Sequence, residues 1–154
     1  MRREKKKISL DVAEQLLLSS RRGILGVNGD DGYPYAVPIN FYYDKDSKKI
    51  YFHGSSVGHK AESLSRSDKV CFTVYGNESI KDVAWAPYVQ SVVAFGRCRR
   101  LDGDEEKMSK LKTLAEKYYP DDDTINKEIA SSGKAARVFE IHIEHMTGKE
   151  IQER

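Results

Sequence analysis

The chain has 154 residues, 39% of them hydrophobic, and its 26 Lys and Arg nearly balance 24 Asp and Glu for a net charge of +2. That length suits one domain, 1–154, with a single core. Much of the positive excess lies in a basic arm over residues 1–8, and no further basic stripe with interleaved aromatics follows, so an extended nucleic-acid surface is not expected.

The arm reads as a solvated tail, with contact to nucleic acid or an anionic membrane as the alternative. After it, Leu10, Ala13, Leu16 and Leu17 predict a short amphipathic helix behind the candidate caps Ser9 and Asp11, ending near Arg21-Arg22-Gly23. The period then changes. Residues 23–27 predict a strand, 28–32 a turn, and 35–43 a second strand, a hairpin pattern. A turn at 44–47 leads to a strand over 50–53, and a helix of about two turns carries Ala61 and Leu64.

Residues 70–75 resume strand, and 76–87 read as irregular. Within that stretch Trp85, beside Pro87 and Tyr88, either folds over something flat or plugs the core. A strand over 91–99 follows. Met108, Leu111, Leu114, Ala115 and Tyr118 mark a helix behind the acidic 102–106, residues 120–123 open a polar helix or loop, and 136–143 close with a strand. Strand and helix do not alternate regularly, so six mostly antiparallel strands with three or four inserted helices predict a barrel rather than a doubly wound sheet.

The strand carrying Val37, Pro38, Ile39 and Asn40 places a proline and an asparagine among large apolar residues, which predicts an interrupted ladder with free backbone groups. The strand Ile50-Tyr51-Phe52-His53 runs into Gly54-Ser55-Ser56-Val57-Gly58-His59-Lys60. Serine hydroxyls, glycines that admit close backbone approach, and a basic helix entrance are what a phosphate requires. The two stretches together predict a site for a phosphorylated planar cofactor. No GxGxxG or GxxxxGK[ST] motif is present, which argues against Rossmann and P-loop mechanisms.

Taken in order, 23–26, 34–41, 50–60, 70–72 and 88–96 resemble the pyridoxamine 5′-phosphate oxidase-like flavoproteins, and among them the nitroimidazole-resistance (Nim) group. The resemblance implies a mainly β, α+β fold, a six-stranded antiparallel Greek-key split β-barrel. It also implies FMN at a homodimer interface, the isoalloxazine along Val37, Pro38, Ile39 and Asn40 and the phosphate near Phe52, His53, Gly54, Ser55 and Lys60.

Lys60 is the first candidate for the phosphate counter-charge. His53 reads either as a strand histidine holding a turn or as a ribityl or phosphate contact, and His59 either neutralises phosphate or caps the helix entrance. Asn40 either bonds the ring edge or bridges a bulge. Ser91 stands where pyridoxamine-phosphate oxidases place a flavin-touching glutamine, and the C-terminal residues lack the family's Arg-x-His pattern, so the resemblance does not carry vitamin B6 phosphate oxidation with it.

The implied activity is an FMN-dependent oxidoreductase passing electrons from a small donor to a small nitroaromatic or quinone-like acceptor. A non-catalytic flavin or haem binder on the same barrel is the alternative, and an interaction module using the arm is a third reading. No catalytic acid–base residue is singled out, because the cofactor carries the hard chemistry. His142 and His145, three apart on a strand, predict no metal site. Cys71 and Cys98, unpaired in separate strand-like runs, suit a reducing compartment. With no apolar run of roughly 18 residues and no signal-like N-terminus, a cytoplasmic protein outside the membrane is expected.

Overall fold

The computed structural model describes residues 4–81 and 86–152. Ser9 opens α1 (Leu10–Ser19), its Oγ accepting the Val12 amide hydrogen at 3.3 Å and so satisfying one of the free donors of the first turn. The predicted stripe Ala13, Leu16 and Leu17 is buried. β1 (Gly23–Asn28) then pairs antiparallel with β2 (Pro34–Ile39) across a turn in which Asp31 and Gly32 both take positive φ.

The single strand expected over 35–43 is instead two. β2 ends at Ile39, and β3 (Tyr42–Asp44) pairs with β4 (Lys49–Gly54). With β5 (Lys69–Lys81), β6 (Ala86–Arg100) and β7 (Arg137–Gln152), the sheet order β2-β1-β5-β6-β7-β4-β3 puts these consecutive strands at opposite edges, with only Asn40 and Phe41 crossing between them. Successive Cα atoms are about 3.8 Å apart, so three steps reach at most about 11 Å. The sheet therefore curls until its edges nearly meet. No ladder joins β2 to β3 among the described residues, so the six-stranded Greek-key barrel is corrected to seven antiparallel strands in a curled, open sheet.

The break has a local cause. The Phe41 N–H donates to the Tyr118 hydroxyl at 2.9 Å and its carbonyl accepts from Lys117 Nζ at 2.8 Å, so side chains from α3 (Asp104–Tyr118) take the place of a neighbouring strand. The free backbone groups expected here thus face a helix. Pro38 is tolerated because β2 is an edge strand.

The three long strands β5, β6 and β7 form the middle of the sheet. Of the irregular segment expected over 76–87, the described residues 76–81 and 86–87 are mostly ladder. After a bulge with Asn77 at φ 53°, pairing continues through Ser79↔Tyr88 and Ile80↔Pro87. Pro87 interrupts nothing on the other side, since pairing with β7 starts at Tyr88. Trp85 lies outside the described residues. α2 (His59–Arg66) follows β4, and α4 (Asp122–Ser132) is capped by Asp121, whose Oδ1 accepts the Thr124 amide hydrogen at 2.7 Å.

The inner face packs Leu25, Phe41, Ile50, Phe52, Phe72 and Val92, each fully buried. A smaller cluster of Tyr51, Leu101, Leu111 and Val138 joins the opposite face of β4 and β7 to α3. Glu140, 3% exposed, accepts from Tyr51 Oη and Arg99 Nε at 3.0 Å each and from Lys49 Nζ at 3.2 Å. Burial by itself raises its pKa, but these donors outweigh burial and hold the carboxyl below its ordinary 4.5. Its stabilising contribution is present above that value and is lost as pH falls through the lower folded pKa. Glu140→Gln is expected to cost about 1–3 kcal/mol near neutrality. Denaturant midpoints of the two proteins should converge as pH falls below 4.5 and through the lower folded pKa, and curves that stay parallel on acidification would show that Glu140 does not contribute in this way.

Candidate functional site

β4 delivers its last residues into a short loop and then α2. Gly58, at φ 116°, makes the sharp entry that other residues rarely adopt, and no side chain caps the helix. Ser55 Oγ accepts the Val57 amide hydrogen at 3.2 Å and braces the loop. The amide groups of the first turn of α2 are therefore presented beside two serines.

Lys60 lies back across the end of β4. A Cβ built on Gly54 would stand 3.1 Å from Lys60 Nζ and 3.2 Å from Cε, so only glycine leaves the lysine its full room. The ammonium sits 5.5 Å from the centroid of Phe52. Burial lowers its pKa. Among the described residues no carboxylate reaches Lys60 at ion-pair distance. A half-buried cation without a counter-ion is suited to an anion.

His53 and Asn40 meet at a cavity of about 90 Å³ closed by α3 and α4 through Leu111, Leu114, Tyr118 and Ile129. The ring of His53 opens to solvent at the mouth, yet the surrounding walls, and then the charge of Lys60, lower its pKa below 6.5 against a weaker pull from Glu128. The imidazole is thus neutral near pH 7. Lys117, on the Phe41 carbonyl, has a pKa lowered to about 8, chiefly by burial and then by Arg21.

His59 is placed elsewhere. Its Nδ1 is 3.3 Å from Asp30 Oδ2, its ring meets Tyr35 edge-on at 4.4 Å, and Asp30 also holds Arg66 at 2.7 Å. It ties α2 to the β1–β2 turn.

The structure thus gathers Phe52, His53, Gly54, Ser55 and Lys60, with Asn40 joined through the cavity. It does not gather the rest. Val37 and Ile39 turn toward the core cluster while Pro38 is exposed, because alternate residues of a strand face opposite ways. Ser91 pairs with Tyr75 and Lys149 on β6, three ladders from β2. On that outer face Ile24, Tyr75 and Phe95 are 37%, 62% and 51% exposed. A groove there is bounded by Arg21, Arg22, Ile24, Pro38 and Tyr75.

Lys117, Tyr118 and Arg137 were not anticipated. For Arg137 a signal existed: alternation from Phe139 and Ile141 puts it on the inward face, where a charge needs a reason.

None of the curated proteins matches this sequence. Among solved structures, a candidate 5-nitroimidazole antibiotic resistance protein from Bacteroides thetaiotaomicron superposes with a TM-score of 0.80 at 24% identity, over 95% of this chain and 87% of that one. The flavocytochrome Anf3 from Azotobacter vinelandii gives 0.72 at 18% identity, over 97% and 71%. An FAD-binding protein from Mesorhizobium loti gives 0.67 at 22% identity, over 95% and 97%. These likenesses concern the fold. The family model described as pyridoxamine 5′-phosphate oxidase matches residues 9–150, nearly the whole chain, and the protein belongs to that family.

Proposed function

We propose that this protein is an FMN-dependent oxidoreductase that works as a homodimer in the cytoplasm and reduces a small nitroaromatic or quinone-like acceptor. The observation that carries the reading is Lys60, half-buried and without a carboxylate partner among the described residues, folded over Gly54 at the uncapped start of α2. FMN needs a cation and donors at its phosphate, polar contacts along the ribityl chain, and an apolar slot for the ring. Lys60, Ser55 and the α2 amides fit the phosphate, and the neutral His53 and Asn40 fit the polar middle.

Bound flavin would supply hydride and electron transfer. The chain's own residues bind and orient it and exclude water. That two structural neighbours are an FAD-binding protein and a flavocytochrome supports a flavin over other phosphorylated ligands. The dimer rests on the exposed Ile24, Tyr75 and Phe95 of the outer face, which also carries Ser91 and Pro38. A second copy seated there would bring parts of the site together that one chain holds apart. No helix among the described residues is long and apolar enough to cross a membrane.

The competing reading is a flavin or haem store without turnover. Absorbance of the protein titrated with FMN is expected to show a bound flavin spectrum, which a small donor such as NADH bleaches under anaerobic conditions and a nitroaromatic restores. Bleaching without reoxidation by any acceptor would favour storage, and failure to bind either FMN or riboflavin would remove the flavin reading. Sedimentation should give a dimer mass.

A further inference from the structure

Arg137 opens β7 directly opposite Gly54 in the β4–β7 ladder. Its side chain lies on the same sheet face as Phe139, which stacks on Phe52 at 5.1 Å. Lys60 occupies the space above Gly54 on that face, so the lysine ammonium stands over the cross-strand neighbour of Arg137. Directly opposed Cβ positions are about 5 Å apart, which puts both cationic groups within reach of one small anion.

Among the described residues neither cation has a counter-ion. Arg137 Nε is buried and makes no hydrogen bond, the one side-chain polar atom of that kind among the described residues. No carboxylate lies at ion-pair distance from Arg137 or Lys60 among those residues. The contrast with the neighbouring arginines is informative: Arg99 is held by Glu140 at 3.0 Å and Arg100 by Asp102 at 3.3 Å. Arg137 also lines a cavity of about 460 Å³ with Ser56, Ser65, Cys98 and Phe139, which opens beside the loop before α2. The Cys98 thiol in that wall is pushed up to about 12, chiefly by burial, so it stays neutral and supplies no negative charge.

We infer that Arg137 and Lys60 form a two-cation clamp for a phosphate monoester, closed across Gly54 and completed by the hydroxyls of the Ser55-Ser56 loop. A planar guanidinium whose Nε–H has no partner is the group that binds two phosphate oxygens side by side, while the lysine adds a point charge. The phosphate belongs to the flavin nucleotide on the reading above, on which this identification of the ligand rests. A separate phosphorylated metabolite or free phosphate would present the same chemistry.

The test compares the wild-type protein with Arg137→Ala and Arg137→Lys, each checked for a folded circular-dichroism spectrum. FMN and riboflavin binding are followed by flavin fluorescence, and melting temperature is measured with inorganic phosphate or chloride at matched ionic strength. Arg137→Ala is expected to weaken FMN roughly 10- to 100-fold and riboflavin less than about 3-fold, with Arg137→Lys between. If both flavins bind and the variant leaves FMN unchanged, or weakens both equally, the clamp is wrong and the flavin reading stands. If neither flavin binds, that reading fails and the phosphate series decides. A rise in melting temperature with phosphate that Arg137→Ala abolishes supports a clamp for another phosphate ester or free phosphate, and no rise overturns it. Should Arg137→Ala fail to fold, Arg137→Lys carries the same comparison.

Discussion

Phe41→Ala is expected to lower the free energy of unfolding by about 3–5 kcal/mol, the usual cost of emptying a buried phenylalanine site. For a domain of this length that corresponds to a fall of roughly 6–20 °C in Tm. The ring is fully buried, meets Phe72 edge-on at 4.8 Å, and carries the Lys117 ammonium 3.8 Å from its centroid. It also sits in the two-residue step between the opposite edges of the sheet, so the cavity left behind would lie where the curl is tightest. Tyr118→Phe separates packing from the backbone brace: it deletes the hydroxyl that accepts the Phe41 N–H at 2.9 Å and donates to the Arg21 carbonyl at 2.6 Å. That loss should be about 1–2 kcal/mol. Chemical denaturation of both variants checks the pair, and a Phe41→Ala loss below about 1 kcal/mol would mean the crossing is held from elsewhere.

Lys60→Ala is expected to weaken FMN binding by about 1.5–3 kcal/mol, a factor of roughly 10–150 in Kd, while leaving riboflavin within about 2-fold. The asymmetry follows from the position of the ammonium at the phosphate end of the proposed site, away from the cavity at Asn40 and His53. A second readout needs no ligand. The charge of Lys60 is, after burial, the next cause of the lowered His53 pKa. Removing it should move the His53 titration upward toward 6.5 without reaching it, because the burial remains. Proton NMR of the imidazole resolves this. An unmoved His53, or equal loss of FMN and riboflavin, would take Lys60 out of the phosphate role.

Much of the secondary structure was legible locally. The stripe of α1, the cap at Ser9, the strand periods around Ile50 and Phe72 and the punctuation at 120–123 each report on a residue and its near neighbours, and each marks an element of the structure. The loop proposed to hold a phosphate was legible as a loop and helix entrance for the same reason, since Gly54, Ser55, Gly58 and Lys60 are close in sequence and their chemistry is local. Residues 76–87 misled because Asn77 and Pro87 carry loop propensity, whereas pairing between β5 and β6 persists beyond a bulge. His59 also had a local reading, helix entrance and phosphate, but Asp30 on a distant turn engages its imidazole.

What the sequence by itself determined is most of the elements, the buried stripes, the family resemblance and the chemical character of the loop between β4 and α2. Periodicity reports which side of an element is apolar and says nothing about which strand lies beside it. Only the tertiary structure decided that residues 35–43 divide between opposite edges of one sheet, that α3 side chains serve the backbone of Phe41, and that Arg137 pairs with Gly54, over which Lys60 lies. Each of these depends on the register between segments far apart in the chain, which is set by the packing of the whole core rather than by any one stretch of residues.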